Sequence, residues 1–356
     1  MSDGLYQFDR KKLETYLQSH IDGFGDLQEM TKFSDGQSNP TYKLVSSTGD
    51  YVLRAKPPGK LLGSAHQVDR EFRVMQALTV TKVPVPEMFH LSGDDSPLGV
   101  MFFVMKFVDG RILWDPALPK ATVSERGQYF DAMNTALADL HDVDIAAVGL
   151  SDFGRPGNYF VRQTGRWIKQ YRASEMGANA DVKRIMDWLN DHMVDDDGRI
   201  SLVHGDYRID NMIFDAERPE IRAILDWELS TLGHGLADLA YQCMYWRLPS
   251  APGISGLAGL DRKALGIPSE EEFLEWYCER RNLPKIENWD FYIIFSAFRL
   301  ISIVQGVLKR SEDGNASNPQ AKARMAAARE QLILLAINLI RSYPVGNKFD
   351  KKIESR

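Results

Sequence analysis

Cysteine is scarce in this chain. Only Cys243 and Cys278 occur among 356 residues, both in apolar or aromatic surroundings, so they read as two buried thiols and not as a disulfide or a metal site. Positive charge is not in excess either. With 43 basic against 49 acidic residues the formal charge is -6, which gives no electrostatic reason to expect nucleic acid as a partner. Uninterrupted apolar runs of membrane-spanning length are missing: Arg299 and Gln305 break the stretch from Phe291 to Leu308, and Gln331 to Ile340 is too short. No signal sequence opens the chain, so the cytosol is the expected compartment and a membrane is not an expected partner. Internal repeats and useful heptad runs are absent as well. What remains, 44% hydrophobic and 26% charged residues over this length, is an ordinary soluble composition with enough material for two lobes and a cleft between them.

The first third alternates strand and turn. Residues 7 to 21 have the spacing of a first helix, with Phe8, Leu13, Tyr16 and Leu17 near one face. Strand, polar loop and strand follow: Met30 to Phe33, then Ser34-Asp35-Gly36-Gln37-Ser38-Asn39-Pro40, then Thr41 to Val45. A polar loop between antiparallel strands offers backbone N–H groups to phosphates, and Ser34, Gly36, Gln37, Ser38 and Asn39 would do so here. With its single glycine, the loop also looks like an ordinary hairpin. Tyr51-Val52-Leu53-Arg54 makes a third strand. Ala65 to Leu78 reads as a helix whose apolar stripe, Val68, Phe72, Met75 and Leu78, is bordered by Glu71. A carboxylate so placed holds a strand cation against nucleotide phosphates, with a surface salt bridge as the plain alternative. Val100 to Val108 is the most strand-like run, ending on a natural hinge at Asp109-Gly110, and the backbone of Lys106, Phe107 and Val108 is expected to be free for an adenine edge. Residues 1–107 are therefore a mostly β, nucleotide-binding lobe with a leading helix.

Residues 108–356 have a helical grain. Val123 to His141 offers Tyr129, Met133, Ala136, Leu137 and Leu140 to a core. From Phe153 to Tyr171, Arg155, Arg162, Arg166 and Lys169 interleave with Tyr159, Phe160, Trp167 and Tyr171, which suits either a flat or anionic ligand or a helix with a charged solvent side. Asp181 to His192 is a short amphipathic helix, and Asp195-Asp196-Asp197-Gly198 a solvated turn. Residues 251–266 look like a loop, and Ser269 caps a helix with Glu272 three positions on. Trp289 to Arg310 is a long apolar helix in which Arg299 needs an ion partner, in the core or near the cleft. Residues 311–318 have loop composition, and Pro319 suits the first turn of a closing helix to about Arg341.

One stretch organises all of this: Leu202-Val203-His204-Gly205-Asp206-Tyr207-Arg208-Ile209-Asp210-Asn211, followed beyond a charged turn by Ala223-Ile224-Leu225-Asp226-Trp227-Glu228. Apolar strand-like lead-ins stop on acid and amide side chains. Short strands facing one another would bring Asp206, Asn211 and Asp226 to one end of a small sheet. Phosphoryl transfer needs a carboxylate for the attacking hydroxyl and hard oxygens for magnesium, and the three residues supply both. A histidine, an aspartate, an asparagine five positions later and an aspartate beyond the next strand is the order of the protein-kinase catalytic core.

These motifs resemble the aminoglycoside phosphotransferase family, a branch of the protein-kinase-like fold, and within it the phosphotransferase domains attached to certain acyl-CoA dehydrogenases. The likeness runs over about residues 28 to 340 and includes Phe33 to Asn39, Leu53 to Gly59, His204 to Asn211, Leu225 to Glu228 and Gly233 to Ala240. The resemblance implies an α+β, bilobal fold with a small antiparallel β lobe carrying one main helix and a larger, mainly helical lobe. It implies Asp206 as base, Asn211 and Asp226 as magnesium ligands, His204 packed beneath the loop and Asp238 steadying it. The family's strand lysine is replaced by Arg54. Lys56 shares its face if the strand continues, although Pro57 limits that, and Arg54 with Glu71 is the favoured pair.

The expected activity is ATP- and magnesium-dependent phosphorylation of a small-molecule hydroxyl. A non-catalytic binding module is the alternative, but no catalytic group is missing to explain it. Choline-like, sugar and aminoglycoside acceptors stay open. A polycationic aminoglycoside wants an acidic pocket, whereas Tyr159, Arg162, Arg166 and Trp246 suggest an acceptor with an apolar part and an anionic part, and Glu228 is a further candidate residue for the acceptor site. The resemblance implies a hydroxyacyl thioester of coenzyme A, and a functional association with an acyl-CoA dehydrogenase.

Overall fold

Alternation along a few strands places the residues that matter. A computed structural model describes residues 9–33, 39–57, 67–251, 253–312 and 319–343. The chain divides into two compact units, and their secondary structure is α+β: a small, mainly antiparallel β unit with one main helix besides the leading one, and a larger, mainly helical unit.

The first unit takes in Met1–Ile112, Val143–Asp152 and Asn211–Ser230, so the boundary expected after residue 107 falls inside it and two later segments return to it. Helix α1 (Arg10–His20) is capped by the Asp9 carboxylate and precedes strands β1 (Leu27–Lys32), β2 (Thr41–Ser46) and β3 (Gly49–Ala55). Phe8, expected on the face of α1, lies outside the described residues. Helix α2 (Val68–Leu78) and strands β4 (Met88–Leu91) and β5 (Phe102–Lys106) complete an antiparallel sheet in the order β1-β2-β3-β5-β4. With a period of two, Leu53 and Ala55 of β3 join Leu13, Leu17, Tyr42, Leu44, Phe102 and Val104 in one core. Arg54 therefore points to the opposite face, beside its register partner Phe103, whose ring lies 6.2 Å from Phe72 of α2. β3 stops at Ala55, so Lys56 does not extend its face.

The same unit holds a second small sheet of β6 (Arg111–Ile112), β8 (Met212–Phe214) and β9 (Ile221–Ile224). The second unit contains Leu113–Asp142, Phe153–Asp210 and Thr231–Arg356. Its helices are α3 (Val123–His141), α4 (Tyr159–Ala173) and α5 (Ala180–Asp191), and after β7 (Ser201–Val203) and β10 (Thr231–Gly233) come α6 (Leu236–Trp246), α7 (Arg262–Leu265), α8 (Glu270–Arg280), α9 (Trp289–Glu312) and α10 (Pro319–Ser342). Capping boxes start α3 at Thr122 and Glu125 and α8 at Ser269 and Glu272. An 18-residue window of α9 has mean hydropathy 1.8, the length and composition of a membrane span, but 78% of it is buried, as in a core helix packed by α4, α6 and α10. Cys243 is buried and Cys278 half-buried, both free thiols.

The pairing of the shortest strands differs from the expectation of one small sheet. β7 pairs with β10, while β8 pairs with β9 across the charged turn, so Asp206 follows one sheet and Asn211 and Asp226 flank another. Strands of three or four residues carry too little pattern to name their partners.

Candidate functional site

In the first unit the site is built around one guanidinium. Arg54 Nε donates to Glu71 Oε2 at 2.8 Å and Nη2 to Asp226 Oδ1 at 2.9 Å, with Glu228 Oε2 4.0 Å away. Glu71 is not at the border of the α2 stripe but inside it, 2% exposed, while Phe72 is the half-buried neighbour. Burial pushes the Glu71 carboxyl up to about 7 although Arg54 pulls it down, and the charges of Asp226 and Glu228 add to the rise. Burial works against the Arg54 charge too, yet the three carboxylates raise its pKa above the ordinary arginine value. One cation among three carboxylates leaves this spot short of positive charge.

Asp226 and Asn211 are brought together by the hairpin. Met212 of β8 pairs with Ile224 of β9, and Leu225 N–H donates to the Asn211 carbonyl at 2.8 Å. Trp227, fully buried, donates Nε1–H to the Ile224 carbonyl at 2.9 Å and anchors the turn. Asp226 itself sits at φ +65, a left-handed conformation that aspartate tolerates better than most residues and that aims its carboxylate at Arg54. Among the described residues no group of three or more His, Cys, Asp or Glu side chains is arranged to hold a metal. Asn211 and Asp226 suit magnesium nonetheless, because that ion binds through one or two carboxylates and completes its shell with water and phosphate oxygens.

In the second unit the loop after β7 is pinned from below by Asp238, which is fully buried on α6. Its Oδ2 accepts from His204 N–H at 2.6 Å and its Oδ1 from Gly205 N–H at 2.8 Å. Gly205 stands at φ +88, where a side chain is strained, and Arg299 donates to its carbonyl. His141 Nε2 lies 3.3 Å from Asp238 and Nδ1 2.7 Å from the Tyr277 hydroxyl. Burial would raise the Asp238 pKa, but the His141 hydrogen bond and the charges of both histidines lower it, whereas burial lowers His141. Asp238 is thus favoured as the carboxylate, accepting a hydrogen bond from His141 Nε2–H. His204 Nδ1 accepts from Asp206 N–H at 3.1 Å, and the Tyr207 hydroxyl donates to the Met133 carbonyl at 2.7 Å. Asp238→Ala strips the buried His204 and Gly205 N–H groups of their acceptor and should cost about 3 to 5 kcal/mol. Urea unfolding checks it, with Asp238→Asn recovering part of the loss.

Several expectations change. Ser34, Gly36, Gln37 and Ser38 lie outside the described residues, and Asn39 is buried. Lys106 N–H donates to the Glu87 carbonyl at 2.8 Å and Phe107 N–H to the Asp50 carbonyl at 3.1 Å, so two of the three backbone donors expected to be free are taken by flanking strands. Trp246, 2% exposed, packs edge-on to Phe130 and Phe273 in the core and cannot face an acceptor. Tyr159 is buried against Phe160 and Phe295, seated on Gly233, where a Cβ would collide with its ring, and burial pushes its hydroxyl up to about 12. Arg162 turns back, Nε to the Gly157 carbonyl at 2.9 Å and Nη2 to the Arg155 carbonyl at 2.5 Å. Arg166 stays exposed over the Trp167 ring at 5.1 Å. Arg299 is satisfied by the Gly205 carbonyl and by the rings of Tyr241 and Trp167 at 5.3 and 5.7 Å, where a carboxylate was expected.

The comparisons with known proteins agree on this frame. The mouse protein named acyl-CoA dehydrogenase family member 10 is 44% identical over 313 residues, 88% of this chain and 29% of its own length. The human acyl-CoA dehydrogenase family member 11 is 39% identical over 319 residues, 88% and 41%. The chain thus spans less than half the length of these curated relatives. A crystal structure from Ralstonia eutropha, assigned as an aminoglycoside phosphotransferase, superposes with a TM-score of 0.85 at 44% identity and covers 94% of this chain and 99% of that one. Macrolide 2'-phosphotransferase MphH from Brachybacterium faecium, at 17% identity and TM-score 0.56 over 89% and 97% of the two chains, shares the fold alone. The model of the phosphotransferase enzyme family matches residues 29–277, from β1 to α8. A match that runs through both units makes this chain a member of that family, with its protein-kinase-like fold.

Proposed function

We propose that this chain is a kinase that moves the γ-phosphoryl group of ATP to a hydroxyl of a small molecule, with a hydroxyacyl thioester of coenzyme A as acceptor. The observation that carries the reading is Arg54 held between Glu71 and Asp226, a cation kept in place by carboxylates and facing away from the apolar core of its sheet. Arg54 binds phosphate oxygens. Asp206 orients the acceptor hydroxyl and takes its proton as the new P–O bond forms and the bond to ADP breaks. Asn211 and Asp226 would hold magnesium, which neutralises phosphate charge when bound. Val108 supplies the backbone N–H for an adenine edge, since those of Lys106 and Phe107 are in use.

The acceptor reading is supported by the names of the relatives, which pair this kind of chain with acyl-CoA dehydrogenases. It is also supported by Arg166, whose exposed guanidinium suits an anionic partner. A dehydrogenase acting on the same acyl chain is the proposed functional partner, in the cytoplasm. ATP consumption over hydroxyacyl-CoA thioesters, choline-like alcohols, sugars, amino alcohols and aminoglycosides tests this, repeated with Arg166→Ala. Turnover is expected with the thioesters, with KM for them raised about 10-fold by the substitution. Turnover confined to cationic acceptors would sink the acceptor reading.

A further inference from the structure

Arg208 has no part in the mechanism above. Along the loop after β7, His204, Tyr207 and Ile209 are buried, which leaves Asp206, Arg208 and Asp210 together on the other side. Arg208 Nη2 lies 3.2 Å from Asp210 Oδ2, and Nε 3.4 Å from Asp206 Oδ2. The Nε contact acts through charge and lacks the direction of a hydrogen bond. The two carboxylates are more than four-fifths withdrawn from solvent, at 18% and 17% side-chain exposure, so this is not the freely solvated pair that contributes next to nothing. On α6 stand Tyr241 and Tyr245, one turn apart with their hydroxyls 3.2 Å from each other. Burial opposes the Arg208 charge, yet Asp206, these two tyrosines and Asp210 raise its pKa above the ordinary arginine value.

We propose that Arg208 is a positioning residue, whose guanidinium bridges Asp206 and Asp210 and so holds the carboxylate that takes the acceptor's proton. Two carboxylates four residues apart on one half-buried loop repel each other, and a loop free to relieve that repulsion would move the base. Arginine suits the task because its guanidinium spreads one charge over Nε and Nη2, which lie 3.4 and 3.2 Å from the two carboxylates, whereas a lysine ammonium is a point charge that does not span both partners. Only the word base rests on the function proposed above; the bridge itself does not.

The test therefore has one arm without turnover and one with it. In urea unfolding of the full chain, Arg208→Met should lower the midpoint, and adding Asp206→Asn should return about half of the loss or more, because the repulsion between the two carboxylates is then removed. Should Arg208→Met not fold, Arg208→Lys carries the same cycle. With a working acceptor, Arg208→Met should lower kcat by about 30-fold while KM for ATP stays within about threefold, Arg208→Lys should lie between, and added guanidinium salt at non-denaturing concentration should restore about 10-fold. A cycle without coupling overturns the bridge. Near-wild-type kcat, or a loss that neither guanidinium nor lysine relieves, overturns the positioning role. Coupling in a chain that phosphorylates no acceptor supports the bridge and counts against the kinase reading alone.

Discussion

Asp206→Asn is expected to lower kcat by at least about 100-fold while ATP affinity changes by less than about threefold. An amide keeps the size of the side chain but cannot accept the acceptor's proton, so the loss falls on the chemical step. The loop backbone should keep its shape, since Asp238 and the His204 ring hold its N–H groups and the Arg208–Asp210 contact remains. Steady-state kinetics with a working acceptor, alongside nucleotide titration, decides the matter. Near-wild-type turnover would end the assignment of Asp206 as base.

Asp226→Ala has the second large expected effect, the loss of magnesium-dependent ATP binding, at least about 30-fold in affinity, in a protein that still folds. The carboxylate contributes to the cation and to Arg54, and Arg54 retains Glu71 when it is gone. Stability should fall modestly for a separate reason. At φ +65 alanine meets a steric cost of about 1 to 2 kcal/mol that aspartate and asparagine bear better, so Asp226→Asn should keep the melting temperature and lose most of the magnesium effect. Calorimetric titration of ATP with and without magnesium, beside a melting curve, separates the two. Unchanged magnesium dependence in both variants would remove Asp226 from the ion.

Residues with a local chemical or periodic reason were legible in the sequence. The order His204, Asp206, Asn211, Asp226 identified the loop because its spacing is set by chemistry and not by packing. The Arg54–Glu71 pair follows from the family resemblance, since the spacing on α2 alone leaves a surface salt bridge equally open, and the capping box at Ser269 follows from four residues.

The tertiary structure alone decided the pairings and the directions. β7 joins β10 and not β8, because strands this short take their partners from the burial around them. The Lys106 and Phe107 N–H groups are spent on Glu87 and Asp50, residues distant in sequence. Trp246 and Tyr159 belong to cores that no helical wheel specifies, and Arg162 bends to carbonyls of its own loop. Arg208 was in view within the motif, yet its place between Asp206 and Asp210 depends on which loop side chains are buried, and burial is a property of the folded chain.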